Sequence, residues 1–170
     1  MEVIRFRDSA VQLRALRAGD RTLIEDLVRH TEPHDLRMRF SGAFRQLPAK
    51  LLDHLMHIDR EHRITLVASA SNRGRPEMLA VTRAHITRDD SAEFALLVRS
   101  DLKGLGLGSL LLGKLIVRCR QRGIRHLVGE VLRVNARMLR LAARYGFRVE
   151  AVAPDTVRLI LDLESLPAGA

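Results

Sequence analysis

A chain of 170 residues fits one domain with a sizeable core, and its 46% hydrophobic and 29% charged residues are an ordinary globular mixture. The formal net charge of +9 comes almost entirely from arginine, since Lys50, Lys103 and Lys114 are the only lysines among the 29 cationic residues. Such a surface attracts polyanions, but aromatic residues make up 4% of the chain and leave little for base stacking, so nucleic-acid binding is not expected.

The first seven residues alternate and carry charge, which is not the apolar core of a signal peptide. Residues 3–7 and 11–17 read as a hairpin turning at Asp8 and Ser9. Asp20 is placed to cap a helix reaching His30, with Leu23, Ile24, Leu27 and Val28 on one face. Pro33 opens a short helix through Met38, and Pro48 another that buries Leu51, Leu52, Leu55 and Met56. The period then changes. Residues 64–70, 78–87 and 92–98 read as an antiparallel meander, with turns at 71–76 and at Asp89, Asp90 and Ser91.

Leu111, Leu112, Leu115, Ile116 and Cys119 mark a strong amphipathic helix ending at Gly123. As the lone cysteine, Cys119 excludes an intrachain disulfide and a cysteine zinc site. No stretch of about 18 apolar residues offers a membrane span, so a cytoplasmic location without membrane contact is expected. Residues 124–132 form a strand, and Asn135 caps a helix carrying Met138, Leu141, Ala142 and Tyr145 that stops at Gly146. Residues 147–151 and 157–163 close the domain as two strands. The whole is mixed α/β and is expected to form a single domain.

Between the third meander strand and the strong helix stands Lys103-Gly104-Leu105-Gly106-Leu107-Gly108. Alternating glycines let the backbone turn with positive φ and come close to a ligand. Free N–H groups at a helix start, with the helix dipole behind them, favour a phosphate, and Lys103 adds a cation. Two nucleotide motifs fail here. The dinucleotide fingerprint needs a third glycine where Ser109 stands. An ATP-type loop ending at Gly113-Lys114 is followed by Leu115, which has no hydroxyl for magnesium, and Gly113 lies within the helix.

Residues 103–108 resemble the R/Q-x-x-G-x-G/A pattern of the GNAT superfamily of N-acetyltransferases, with lysine leading. Asn135 and Gly146-Phe147 resemble its later signature. Residues 36–40, 92–104 and 123–132 are similar to the acetyltransferase domain of Pat-type protein lysine acetyltransferases. Many Pat-type proteins carry a further large domain, for which 170 residues leave no room. The resemblance implies a mostly antiparallel mixed sheet with helices on both faces and a splayed central strand pair. It implies acetyl-CoA as co-substrate and no metal. The backbone of Leu96 and Val98 would hold the pantetheine arm. The N–H groups of Lys103, Gly104, Leu105, Gly106, Leu107, Gly108 and Ser109 would hold the pyrophosphate, and Asn135 would reach the cofactor or serve as an N-cap.

Acyl transfer needs a neutral amine, and a lysine ammonium with a pKa of about 10.4 must first lose a proton. Glu93, in an otherwise apolar strand, is the candidate base; burial there would raise its pKa toward neutrality. The Pat-like pattern implies the same role. His85 and Glu130 are weaker candidates, the latter also suited to pairing with an arginine such as Arg133. The family's usual tyrosine acid falls at Ala142, which leaves Tyr145 a packing residue and the thiolate to leave on its own. Arg137, Arg140 and Arg144 share a helix face that meets solvent or a CoA phosphate. The acceptor is expected to be a protein lysine. A small amine, or a non-catalytic acyl-CoA-binding module, are the alternatives, and a homodimer stays open.

Overall fold

The computed structural model describes residues 1–7, 9–40, 48–88 and 90–167. N-terminal alternation yields the expected hairpin: β1 (Glu2–Phe6) pairs antiparallel with β2 (Ser9–Ala15). Of its expected turn, Asp8 lies outside the described residues.

A single 3-10 turn, Ala18–Asp20, leads into α1 (Arg21–Arg29). Asp20 stands at the N-cap position but makes no side-chain capping bond. Its carboxylate turns back to β2. There the Arg14 guanidinium reaches both oxygens at 2.7 and 2.8 Å, and the Arg17 N–H adds a bond at 2.8 Å. A two-pronged cation outcompetes a neutral amide. Both partners are buried. Burial raises the Asp20 carboxyl, but the Arg14 and Arg17 bonds and charges outweigh it and hold it below its ordinary value. A depressed carboxyl contributes stability above its unfolded value near ~4 and loses it as pH falls through the folded value. Arg14→Met is expected to destabilise the protein by about 3–5 kcal/mol at pH 7. Urea titrations should show that difference shrinking as the pH falls from ~4 through the lower folded-state value of Asp20, where the wild type progressively loses the pair.

Helix α2 (Pro33–Phe40) runs past the expected Met38, and α3 (Ala49–Met56) follows Pro48 with Leu52 and Leu55 buried. Leu51 and Met56 are half-buried rather than buried. Strands β3 (Arg63–Asn72) and β4 (Arg75–Arg88) are longer than expected. Arg73 and Gly74, with φ of 49° and 80°, make a two-residue turn between them. The expected turn over 71–76 therefore contracts, and Pro76 pairs with Ser71 inside the ladder. Pro76 precedes the stretch of β4 that pairs with the next strand, so its missing N–H breaks no bond on that side. β5 (Ser91–Val98) completes the meander. Asp89, in the turn before it, lies outside the described residues.

The second half alternates helix and strand: α4 (Leu107–Gln121), β6 (His126–Leu132), α5 (Ala136–Arg144), β7 (Arg148–Ala151) and β8 (Thr156–Asp162). The sheet order is β1-β2-β3-β4-β5-β6-β8-β7. Every neighbouring pair is antiparallel except β5 and β6, which are parallel. The expected fold class is thus the observed one. On one face α4 and α5 cover Ala84, Phe94, Leu127 and Leu159. On the other, Ile24, Leu27, Leu36 and Leu52 of α1 to α3 cover Val67 and Leu97. Among the described residues no helix is long and apolar enough to cross a membrane.

Candidate active site

The parallel rungs of β5 and β6 run from Ser91↔His126 to Glu93↔Val128 and then stop. The next residue explains the stop. The Phe94 ring packs directly over Gly129, where an added Cβ would lie 2.6 Å from Phe94 Cε1. Phe94 is held there by Phe147, with ring centroids 5.3 Å apart. An aromatic wedge over a glycine keeps the strands parted, and the edge of β5 beyond Glu93 is left open. A cleft of about 750 Å³ occupies the gap, lined by β5, the glycine loop, α2, α5 and the ends of β4 and β6.

At one end lies the glycine loop. Gly104 and Gly106 have φ of 80° and 95°, a conformation that side chains resist. Gly106 is the left-handed N-cap of α4, whose first bond is Leu110 N–H to Gly106 O at 3.0 Å. The N–H groups of Gly104, Leu105, Gly106, Leu107, Gly108 and Ser109 find no acceptor among the described residues. Gly108 lets the helix approach β5: a Cβ there would meet Leu96 and Val98 at 3.4 Å. Side chains sort differently. Leu107 is fully buried in the core, while Leu105 is 37% exposed.

Lys103 departs from expectation twice. Its N–H is already given to Ser100 O at 3.3 Å, so the free cradle begins at Gly104. Its ammonium pairs with Asp35 of α2, which also accepts from Ser100 Oγ at 2.5 Å. Burial raises the Asp35 carboxyl, but Lys103 and Ser100 outweigh it and hold it below its ordinary range. The lysine expected beside a phosphate therefore serves as a clamp between α2 and the loop.

At the other end, Glu93 faces His85 across β4 and β5 in direct register. Glu93 was expected to be buried; it is exposed. Its side chain opens onto the cleft at the last rung between the two strands. The argument from burial for a raised carboxyl therefore does not apply. His85 is half-buried, and its Nδ1 is buried with no hydrogen-bond partner among the described residues. Glu130 lines the cleft and pairs with Arg158 at 2.9 Å, not with Arg133.

Three further groups at this end went unread as site residues in the sequence: Arg39, Arg83 and His54. Arg83 is 8% exposed and donates to Thr65 Oγ1 at 3.2 Å, to His54 O at 3.2 Å, and to Leu55 O. Arg63 donates to the same His54 carbonyl at 2.9 Å. Burial, with Arg63 and Arg39 nearby, lowers Arg83 to about 10. Burial lowers Arg39 to about 10 as well, opposed by the charge of Glu93. Both remain cations at neutral pH. Burial and the neighbouring cations also lower His54. An arginine in the interior of an apolar strand, as at Arg83, was the legible signal.

Helix α5 forms the remaining wall. Asn135 Oδ1 accepts Met138 N–H at 3.1 Å, so the N-cap role is met while the amide lines the cleft. Arg137, Arg140 and Arg144 are exposed and line the same wall without a carboxylate partner among the described residues. Tyr145 is packed: its hydroxyl donates to Ser109 O at 2.6 Å and fills the notch above Gly113. Tyr145→Phe is expected to cost about 1 kcal/mol of stability and to leave turnover within about twofold. A melting curve and a CoA-release assay read the two effects.

The acetyltransferase (GNAT) family model matches residues 30–147, more than half of the chain. The chain belongs to this family. It is 28% identical over 151 residues to an acetyltransferase of Pseudomonas aeruginosa, covering 88% of this chain and 81% of the relative. Among solved structures it is similar to the GNAT domain of S. lividans PAT, at 26% identity and a TM-score of 0.84, covering 95% of this chain and 96% of that one. RimL, a ribosomal alpha-N-protein acetyltransferase solved with coenzyme A, shares the fold at 18% identity and a TM-score of 0.72, over 95% and 98% of the two chains. As a GNAT enzyme the protein is an acyl-CoA-dependent N-acyltransferase with acetyl-CoA as co-substrate.

Proposed function

We propose that this GNAT enzyme acetylates protein lysine ε-amines by direct attack on acetyl-CoA, with Glu93 as general base. The carrying observation is the position of Glu93 at the last rung before β5 and β6 part, in the wall of the cleft. The open edge of β5 at Leu96 and Val98 suits the pantetheine arm. The six free N–H groups from Gly104 to Ser109 suit the pyrophosphate, with Asn135 beside them. The amine nitrogen attacks the thioester carbonyl and gives a proton to Glu93, directly or through water. The C–S bond then breaks, and CoA leaves as a thiolate, whose pKa of about 8.5 makes a separate acid unnecessary. The resemblance of residues 36–40, 92–104 and 123–132 to Pat-type protein lysine acetyltransferases supports the lysine acceptor.

The test is an acceptor panel assayed by CoA release: lysine peptides, polyamines and free amino acids. Highest kcat/KM on lysine peptides is expected. Turnover confined to the small amines would remove protein lysine from the reading.

A further inference from the structure

The base end of the cleft holds more positive charge than its own carboxylates answer. Arg83 and the Nη1 of Arg63 cap the carbonyls of His54 and Leu55 at the C-terminal end of α3, where a helix dipole favours cations, while Arg63 Nε is buried with no hydrogen-bond partner among the described residues. Arg39 is different. It sits in the last turn of α2, half-buried, in the wall of the cleft. Its guanidinium carbon lies 4.6 Å from the centroid of the Phe40 ring. Among the described residues it makes no hydrogen bond or ion pair. Residues 41–47, which follow it, contain no Asp or Glu. A half-buried guanidinium with no carboxylate partner among the described residues thus stands in the cleft wall near the candidate base, where its five donors can take up an anion.

The carboxylates nearby are committed elsewhere. Asp35, one turn earlier on α2, is held by Lys103 and Ser100. Glu130 is held by Arg158. Glu93 acts on Arg39 through space without a hydrogen bond. Arg137, Arg140 and Arg144 line the cleft from α5, and the proposed pyrophosphate cradle is the glycine loop, at the other end from Glu93. What enters beside Arg39 is therefore the acceptor.

We infer that Arg39 binds a carboxylate on the acceptor, so that the enzyme selects lysines flanked by an acidic residue. This rests on the lysine reading above. Arg83, which lines the same cleft close enough for its charge and that of Arg39 to interact, deepens the anionic preference. The net charge of +9 favours encounter with acidic surfaces in the same sense.

The experiment compares three lysine peptides differing only in the residues beside the lysine: aspartate, alanine or arginine. The aspartate peptide is expected to exceed the alanine peptide roughly tenfold or more in kcat/KM, mainly through KM, since a charge-assisted pair is worth at least that factor. In R39Q the aspartate-to-alanine ratio should collapse toward one. In R39E the order should invert in favour of the arginine peptide. Both variants are first shown to be folded by their melting transitions. Equal wild-type rates on the aspartate and alanine peptides would overturn the inference and leave the lysine reading standing. So would an aspartate-to-alanine ratio that survives in R39Q. Acetylation of small amines with no peptide turnover would instead overturn the lysine reading, and this inference with it.

Discussion

Glu93→Gln should lower kcat by about 10²–10⁴-fold while leaving acetyl-CoA binding near its wild-type value. Glutamine keeps the size and polarity of the side chain but takes up no proton. At pH 7.4 only about one lysine amine in a thousand is neutral, given a pKa of about 10.4, so the loss falls on forming the nucleophile. That dictates a sign. The residual Glu93→Gln rate should climb about tenfold per pH unit until the amine titrates on its own, narrowing the gap to wild type. Exposure of Glu93 is consistent with the role: a side chain in the cleft wall that is open to solvent can be reached by an incoming acceptor. A constant ratio of rates across pH 7 to 10 would count against proton removal by Glu93.

Gly106→Ala is the second large effect. At φ 95° a Cβ costs about 1–2 kcal/mol, so the loop must relax. No atom lies within 4 Å of the added Cβ, so the penalty is conformational, not steric. Relaxation turns the N–H groups of Gly106 and Leu107 away from a common focus. Each bond to a charged phosphate is worth about 1.5–3 kcal/mol, so acetyl-CoA affinity should fall about 10- to 100-fold by titration calorimetry. Gly19→Ala is the control: its Cβ also meets nothing within 4 Å, and its backbone is not left-handed. It should bind acetyl-CoA as the wild type does.

Local patterning carried most of the fold. The strong apolar repeat from Leu111 to Cys119 placed α4, and the glycines before it placed the left-handed loop at its start. The meander and the final strand pair followed from period-two runs bounded by polar turns. What escaped was the outcome of competition between distant groups. Asp20 looked like an N-cap because nothing near it in sequence advertised Arg14 as a two-pronged partner. Lys103 looked like a phosphate ligand because Asp35, far upstream, gave no sign of reaching it. Glu93 looked buried because the strand is apolar on both sides. Its side chain instead opens onto the cleft, which several elements distant in sequence build together. Arg39 and Arg83 come from different elements and converge in the folded cleft alone.

The central claim, acetyl transfer to protein lysines by the Glu93 cleft, is tested most directly by mass spectrometry of a protein lysate. The lysate is incubated with acetyl-CoA and either wild-type or Glu93→Gln enzyme. The account predicts new acetyl groups on lysine ε-amines with the wild type and near-background levels with the variant. Equal lysine acetylation by both proteins, or none by the wild type, would contradict it.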